Sequence, residues 1–263
     1  RLRQLAEFIV SPVSGLPLFQ PGISVARELV AALDRSGEQL RDGDVCVVAQ
    51  KIVSKSEGRL VGLGMVDASV EARRIAAETD RDPAMVELIL GESSELLRTT
   101  PAAIIARHRT GHVLANAGID ASNVEKGEGG EETVLLWPVD PDASARAIRR
   151  ELQAITGTRV GVLIADSMGR AWRIGTVGTA IGCAGLAVLE DRRGTGKDLF
   201  GRTLQATVIA VADSIAGMAA LAMGEGDEGT PAALVRGAAK WVSEHDGFGM
   251  VSGLRPARED MFR

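Results

Sequence analysis

The stretch RVGVLIADSMGRAWR, residues 159–173, contains the clearest buried element of the chain. Residues 160–165 are apolar or glycine without a break, which is typical of a strand that is buried on both faces. Asp166 and Ser167 follow directly, and Arg170 and Arg173 come shortly after them. We therefore predict a buried strand whose carboxyl end presents the Asp166 carboxylate.

Helices and strands are mixed on both sides of this strand. Helical spacing, with Ser24 as an N-cap and Asp82 before Pro83 at another helix start, predicts helices over residues 24–37, 67–80, 82–97 and 142–157. Strands are expected at the beginning of 5–19, in 45–49, 133–139 and 231–238, and as a hairpin in 102–118. Residues 203–224 look like a strand passing into a helix, 50–58 form a polar segment, and 178–191 are ambiguous. This order lacks a regular βαβ rhythm, so we expect an α+β fold rather than a doubly wound sheet.

Composition excludes several classes of protein. The chain has 263 residues, 45% of them hydrophobic, and a net charge of -5, which argues against a nucleic-acid surface. Aromatic residues make up 3% and tyrosine is absent. Cys46 and Cys183 each lie in an apolar run; a single disulfide stays open, but two free buried thiols are the favoured interpretation. Without a signal peptide or an apolar run of the ~20 residues that span a bilayer, we expect a soluble cytoplasmic protein without membrane partners.

Three segments look like familiar motifs, but each lacks a feature that the motif requires. GEGDEG (224–229) matches the spacing of a dinucleotide fingerprint, but a helical run precedes it and a strand-like run follows, which is the reverse of the required order. GTGKD (194–198) has Asp191 where a P-loop needs its first glycine, and Asp198 where it needs serine or threonine. HRTGH offers His108 and His112, but Gly111 disfavours a helix and no third zinc ligand is obvious.

Three acidic segments framed by glycine remain. They contain Asp120 and Asn123 in NAGIDASNV (116–124), Asp166 and Ser167, and the acidic loop that includes Glu225. Oxygen ligands without histidine or cysteine suit Mg²⁺ or Mn²⁺, and glycine lets backbone N–H groups approach phosphate. Lys51, Lys55, Arg170 and Arg173 could neutralise phosphate charge. The segments therefore favour a metal-dependent enzyme acting on phosphates.

Ordinary structural roles remain open for the same residues. Asp120 could be a turn carboxylate, Asp166 the end of a strand, and GEGDEG a flexible acidic loop. Lys51 and Lys55 could be solvated, and the two arginines could pack on Trp172.

Six blocks of sequence carry a resemblance to a known family: GLPLF (15–19), DGDVCVVAQKIVSKSEGRL (42–60), ANAGIDASNV (115–124), WPVDPDAS (137–144, similar to LPVDPDAS), IADSMGRAWRIG (164–175) and MGEGDEGTPAALVRG (223–237). Together they resemble the coenzyme F420-0 gamma-glutamyl ligases over nearly the whole chain. The resemblance implies an α+β fold with mixed or antiparallel sheets and flanking helices, built as a two-lobed monomer in an intertwined homodimer. It also implies one ligase domain over residues 1–263, made of two interlinked lobes and without a C-terminal flavin-binding domain.

The family's activity is GTP-dependent ligation of L-glutamate, and then of further gamma-linked glutamates, to the deazaflavin precursor F420-0. The resemblance implies an acyl-phosphate intermediate, two Mg²⁺ or Mn²⁺ ions, and a monovalent cation such as K⁺. No enzyme nucleophile is needed, which agrees with the lack of a recognisable triad. We expect F420-0, glutamate and GTP as small-molecule partners.

Site residues carried over from the family fall into three groups. The metal ligands would be Asp120, Asp166, Ser167 and Glu225, where Ser167 replaces a threonine and Glu225 replaces a glutamine of some relatives. The nucleotide contacts would be Leu16, Pro17, Leu18, Phe19, Gln50, Lys55, Asn123, Met223, Gly224, Glu225, Gly226, Asp227, Glu228, Gly229 and Thr230. Gln50 stands where some relatives have serine. The catalytic group would comprise Asp120, Asp166 and Lys55, and charge and location add Arg170 and Arg173 as hypothetical clamps for carboxylate or phosphate.

Two other functions stay open. One is another Mg²⁺- or Mn²⁺-dependent phosphoryl- or nucleotidyl-transfer enzyme, and the other is a non-catalytic module that binds nucleotide or deazaflavin. The segment EKGEGGEE (125–132), just after the Asp120 turn, departs from the family's pattern.

Overall fold

The computed structural model describes residues 7–260. Its helices, numbered in chain order, are α1 (Val25–Arg35), α2 (Gln50–Ser56), α3 (Val70–Thr79), α4 (Pro83–Glu92), α5 (Pro141–Thr156) and α6 (Val211–Met223). Its strands are β1 (Ile9–Pro12), β2 (Val45–Ala49), β3 (Leu60–Gly62), β4 (Ser93–Thr99), β5 (Ile104–His108), β6 (Val113–Ala115), β7 (Thr133–Leu135), β8 (Gly161–Gly169), β9 (Thr176–Ala184), β10 (Leu189–Asp191), β11 (Val208–Ala210) and β12 (Ala232–Arg236).

A mixed five-stranded sheet forms the centre, in the order β1-β12-β2-β8-β9. β2 and β8 are parallel, and the other neighbouring pairs are antiparallel. Apolar side chains of α1, α2 and α5 cover one face, whereas α6 covers the other. Because β2 and β8 are buried on both faces, both have the continuous apolar sequence expected of such strands.

A third apolar cluster lies beneath a smaller sheet. The antiparallel strands β4, β5 and β6 form this sheet, and α3 and α4 supply most of the apolar side chains packed below it. Ile75, Val86, Ile89 and Ile104 lie at the centre of this cluster. Two short pairs, β3 with β7 and β10 with β11, complete the sheets of the described residues. The observed fold is mixed α and β, as the sequence predicts.

Most predicted elements are confirmed. The Ser24 hydroxyl accepts the Arg27 N–H at the start of α1, and the Asp82 carboxylate accepts the Ala84 N–H at the start of α4. The expected strand at 45–49, the hairpin β5–β6, the passage from β11 into α6, and β12 are also present. Residues 5 and 6 of the first predicted strand lie outside the described residues.

Four boundaries differ from the prediction. The polar segment after β2 forms α2, because apolar Ile52 and Val53 pack into the core while Lys51 and Lys55 stay partly exposed. Residues 93–99 leave the predicted helix as β4, since their backbone groups pair with β5. β8 continues past Asp166 to Gly169, because β9 pairs with it along the whole length. β7 ends at Leu135, before the Pro138 of the predicted strand, and proline removes a ladder donor.

Both cysteines are buried and free within the described part of the chain, as expected. Burial raises the pKa of the Cys46 and Cys183 thiols to about 12. In residues 7–260 no helix has the length and apolar character to cross a membrane.

Candidate active site

Asp166 sits in the middle of the β8–β9 pairing rather than at a free strand end. The register of the two strands shifts between Ile164 and Ala165, and a bulge of this kind turns the next side chain to a new direction. The indole N–H of Trp137 donates to Asp166 Oδ2 at 2.8 Å, and the Ser167 backbone N–H donates to Oδ1 at 2.8 Å. The carboxylate therefore has a fixed orientation.

Asp120 is held by a turn that follows three left-handed residues. Asn116 and Ala117 have φ values of 52° and 51°, Gly118 has φ 72°, and Asp120 then pairs with Leu135 through two backbone hydrogen bonds. Its Oδ1 accepts the Ser122 N–H at 2.6 Å, as in an Asx turn. Its Oδ2 lies 2.8 Å from the Lys51 ammonium.

Electrostatic coupling joins these two carboxyl groups. Burial and, to a smaller extent, the negative charge of Asp120 raise the pKa of Asp166 to about 6, although the hydrogen bonds from Trp137 and Ser167 oppose this. Burial also opposes ionisation of Asp120, but hydrogen bonds from Lys51 and Ser122 outweigh it and lower its pKa. Lys51 favours the ionised form of both groups, so one ammonium serves two neighbouring carboxylates.

Lys55 connects the Asp120 turn to α2. It lies one helical turn after Lys51, and its ammonium donates to the Asn123 carbonyl at 2.8 Å. Burial lowers the pKa of Lys55, although the nearby Glu125 opposes this. The Asn123 side chain donates in turn to the Gly226 carbonyl at 3.4 Å, which brings residues 116–124 against the acidic loop.

The loop of residues 223–230 closes on itself and on β8. The Ser167 hydroxyl donates to Glu225 Oε1 at 2.5 Å. Within the loop, the Gly226 N–H donates to Glu228 Oε2 at 2.8 Å, and the Thr230 hydroxyl donates to the Met223 carbonyl at 2.7 Å. A carboxylate thus lies against the backbone N–H groups of a glycine-rich loop, which is an arrangement that binds anions.

Contacts thus link one group of the predicted site residues: the four proposed metal ligands, together with Lys55, Asn123 and the 223–230 loop. Other predicted residues lie apart from these contacts. Phe19 packs in the core and Leu16 against it, whereas Pro17 and Leu18 are exposed. The Gln50 side chain is buried and donates to the Ser54 hydroxyl at 2.6 Å. Arg170 and Arg173 lie in an exposed turn, where Arg170 donates to the Ile174 carbonyl at 3.4 Å.

His108 and His112 form a buried pair under Trp137 rather than an exposed ligand set. Their Nδ1 atoms both lie 2.9 Å from the Thr110 hydroxyl, and their ring centroids lie 4.9 Å and 5.5 Å from that of Trp137. Burial lowers the pKa of His112 to about 4, and His108 adds to this effect. Over residues 7–260, no three His, Cys, Asp or Glu side chains form a group that could hold a metal ion by themselves.

Comparison with known proteins identifies the family. The sequence profile described as F420-0:Gamma-glutamyl ligase matches residues 15–237, which is most of the chain. The chain belongs to the F420-0:gamma-glutamyl ligase family.

Several archaeal relatives are similar over almost their full length. The coenzyme F420:L-glutamate ligase of Methanothermobacter thermautotrophicus is 47% identical over 251 residues, covering 95% of this chain and 97% of the relative. The protein of that name from Archaeoglobus fulgidus is 46% identical, with 87% of each chain covered. That from Methanocaldococcus jannaschii is 41% identical, with 94% of each covered.

The donor chemistry of this family member fits a hard divalent cation. Asp120, Asp166, Ser167 and Glu225 offer only carboxylate and hydroxyl oxygen, which Mg²⁺ and Mn²⁺ prefer. The Lys51 ammonium already acts as a positive charge shared by Asp120 and Asp166. Since Mg²⁺ is commonly held by one or two carboxylates together with phosphate oxygens and water, these side chains need not form a complete shell.

The contacts of two residues at the site do not follow from the sequence alone. The sequence identifies Lys51 as a candidate cation for phosphate, but its pairing with Asp120 depends on α2, where the sequence predicts only a polar segment. Trp137 lies in a predicted strand and in a block of resemblance, but its contact with Asp166 spans 29 positions of the chain. A buried tryptophan carries no sequence signal for the partner of its N–H group.

Proposed function

We propose that this protein ligates L-glutamate to F420-0, and then further glutamates through gamma-linkages, with GTP as phosphoryl donor. Membership of the family and the names of its relatives support the ligation of glutamate. The observation that carries the rest of the proposal is the convergence of three distant segments. Asp120, Asp166 and Glu225 are joined through Lys51, Ser167 and direct electrostatic coupling.

In this proposal Asp120, Asp166, Ser167 and Glu225 hold divalent cations beside the triphosphate. Such a cation neutralises charge on phosphate oxygens and polarises the reacting phosphoryl group. Asp166 contributes a carboxylate whose orientation is fixed before substrate binds, because Trp137 and Ser167 each donate to it. Asp120 can exchange its bond with the Lys51 ammonium for a bond with the cation, which frees Lys51 for a phosphate.

The glycine-rich loop of residues 223–230 supplies the phosphate cradle. The Glu228 carboxylate marks an anion position in it, because it accepts the Gly226 N–H and its own backbone N–H, which lowers its pKa. A phosphate oxygen that displaced this carboxylate would accept the same N–H groups. Lys55 lies beside the loop through Asn123, so its ammonium can balance charge that develops during transfer.

The chemistry requires positioning rather than an enzyme nucleophile. A carboxylate oxygen of F420-0 attacks the γ-phosphorus of GTP, the bond to the bridging oxygen breaks, and GDP leaves. The resulting acyl phosphate is attacked at its carbonyl carbon by the glutamate amine. Inorganic phosphate leaves, the amine loses a proton, and an amide remains. In this scheme the exposed Arg170 and Arg173 clamp a carboxylate of the acceptor or of glutamate when substrate is bound.

The proposal includes a homodimer. Residues 192–207 continue the β10–β11 pair as a long hairpin. The Gly194 N–H donates to the Leu204 carbonyl, the Leu204 N–H donates to the Gly196 carbonyl, and a bridge joins Lys197 to Thr203. Its tip carries Leu199 and Phe200, which are 100% and 88% exposed. A projecting hairpin with two adjacent apolar side chains at its tip fits an arm that packs on a second copy.

A direct assay tests the function. The protein is incubated with F420-0, L-glutamate, GTP and Mn²⁺ in a buffer containing K⁺, and products are measured by mass spectrometry. We expect glutamylated F420, GDP and phosphate in equal amounts per bond formed. GTP consumption that does not need glutamate would indicate another phosphoryl-transfer enzyme, and binding without turnover would indicate a binding module.

A pair of variants connects the activity to the site. Asp166→Ala should abolish ligation while the circular dichroism spectrum stays that of wild type. Asp166→Asn should also lose it, although the amide oxygen can still accept from Trp137. Asp213→Asn is the matched control, because burial likewise raises the pKa of Asp213, which accepts one backbone N–H on the opposite face of the sheet. Wild-type turnover in the Asp166 variants would overturn the assigned site.

A further inference from the structure

Trp137 contacts the Asp166 carboxylate of the proposed site through its ring nitrogen. The side chain is fully buried and belongs to the core cluster between the central sheet and α1 and α5. Its Nε1–H donates to Asp166 Oδ2 at 2.8 Å. An indole N–H can only donate, so this bond cannot reverse its direction as a hydroxyl or a water could.

The surrounding residues hold the indole in one place. The rings of His108 and His112 pack against it, and the Arg59 guanidinium donates to its backbone carbonyl at 2.8 Å. Gly118 passes so close that a Cβ atom there would lie 2.4 Å from the indole nitrogen. The Asn116–Gly118 turn thus contacts Trp137 directly, two residues before Asp120.

We infer that Trp137 is a positioning residue for Asp166, with the N–H group fixing the carboxylate so that its remaining lone pairs are available to a cation. This inference rests on the proposed function, because it assigns Asp166 to a metal site. Partners that orient a ligand in this manner commonly change metal affinity by 10- to 100-fold when they are removed. The role belongs to the N–H group and not to the bulk of the ring.

Trp137→Phe separates the contribution of the N–H group from that of ring packing, because phenylalanine keeps an aromatic ring and lacks the donor. Binding of Mn²⁺ alone is measured by calorimetry on the full chain, without nucleotide or F420-0. We expect the dissociation constant of the variant to rise by about tenfold or more. The matched control is Trp241→Phe, which removes a similar indole bond, at 2.7 Å, to Glu190, and it should bind Mn²⁺ like wild type.

A second measurement needs no substitution and covers the case in which Trp137→Phe does not fold. The chain has three tryptophans, so ¹⁵N-labelled protein gives three indole N–H signals in a two-dimensional NMR spectrum. Titration with Mg²⁺ should move the Trp137 signal and leave the Trp172 and Trp241 signals in place. The assignment follows from the spectra of the Trp172→Phe and Trp241→Phe variants.

The outcomes distinguish this inference from the function on which it rests. Suppose that the wild-type protein binds Mn²⁺. The inference alone is then overturned if Trp137→Phe binds Mn²⁺ with equal affinity, or if the Trp137 indole signal does not shift with Mg²⁺. Wild-type protein that binds neither ion overturns the proposed metal site and the inference with it. Weaker Mn²⁺ binding by Trp137→Phe, with the Trp241→Phe control unchanged, supports both.

Discussion

Gly118 combines a left-handed backbone with a close contact, and the two effects can be measured separately. Gly118→Ala should lower the free energy of unfolding, because φ is +72° and the new methyl group would meet the indole of Trp137. Gly129→Ala is the matched control, since φ there is +71° and no atom lies within 4 Å of the added Cβ. We expect a loss of about 1 kcal/mol for Gly129→Ala, from strain alone, and ~3 kcal/mol or more for Gly118→Ala. Equal losses in urea denaturation would show that the indole moves aside without cost.

Lys51 acts as an internal competitor for the proposed cation. Lys51→Met should tighten Mn²⁺ binding in the absence of nucleotide, because it removes a positive charge that lies 2.8 Å from Asp120. Repulsion between like charges at about 4 Å is worth ~1 kcal/mol even in water, which corresponds to roughly fivefold in affinity. Lys55→Met is the control, since its ammonium contacts a backbone carbonyl instead of a carboxylate. Calorimetry that found unchanged or weaker binding in Lys51→Met would contradict this role for Lys51.

At the scale of elements, the β5–β6 hairpin carries a pH-sensitive contribution to stability. Burial lowers the pKa of His112 to about 4 in the folded protein, whereas an unfolded chain has the ordinary value near 6.5. The unfolded state therefore binds the proton first as pH falls, and stability that is present above pH 6.5 is lost between about 6.5 and 4. The loss should approach about 3 kcal/mol, at ~1.36 kcal/mol per pKa unit.

The His112→Asn variant isolates this contribution. The variant should be less stable than wild type at pH 7, because its contact with Trp137 is reduced, but the difference should shrink as pH falls through this range. The raised pKa of Asp166 makes both proteins more stable as pH falls. Because this contribution is the same in wild type and variant, it cancels from the difference between their free energies of unfolding. His245→Asn, at an exposed histidine, is the control. Urea denaturation series at pH 7, 6, 5 and 4 provide the measurement, and a constant difference would refute the assignment.

The elements also show how far local sequence determines structure. Apolar spacing predicts α1, α3 and α5 because each helix has one buried face, and the Ser24 N-cap adds to the signal for α1. The sequence does not predict α2, because only two of its seven residues are apolar side chains in the core. It does not predict β4 either, because Ser93–Thr99 becomes a strand only through pairing with β5. The extension of β8 past Asp166 depends in the same way on β9. Pairing with a partner that is distant in the chain overrides the local preference for helix or strand.

The candidate site divides along a similar line. The chemistry of Asp120, Asp166 and Glu225 is visible in the sequence, because glycine and short polar residues frame each of them. The prediction that they share one site, and the role of each residue in it, come from the resemblance to the family. The partners that orient them could not be predicted, since Trp137 reaches Asp166 and Ser167 reaches Glu225 only after the sheet has formed.

At the scale of the molecule, the central sheet explains how the distant segments meet. β2 and β8 are parallel neighbours, so the start of α2 and the middle of β8 lie at the same edge. β12 pairs with the other side of β2, and the Ala49 N–H donates to the Pro231 carbonyl. This brings the end of the 223–230 loop to that edge as well. Long connections lie between these strands in the chain, so residues more than 100 positions apart, such as Asn123 and Gly226, come into contact there.

The proposed homodimer gives the last prediction, which concerns assembly. The double variant Leu199→Ser/Phe200→Ser should sediment as a monomer at concentrations where wild type is a dimer, because it replaces both apolar side chains at the tip of the 192–207 hairpin. Val70→Ser is the matched control, since Val70 is similarly exposed, at 87%, at the start of α3. Sedimentation velocity over a tenfold range of protein concentration measures the assembly. A wild-type chain that stays monomeric at every concentration removes the dimer from the proposed function, and a double variant that stays dimeric places the interface elsewhere.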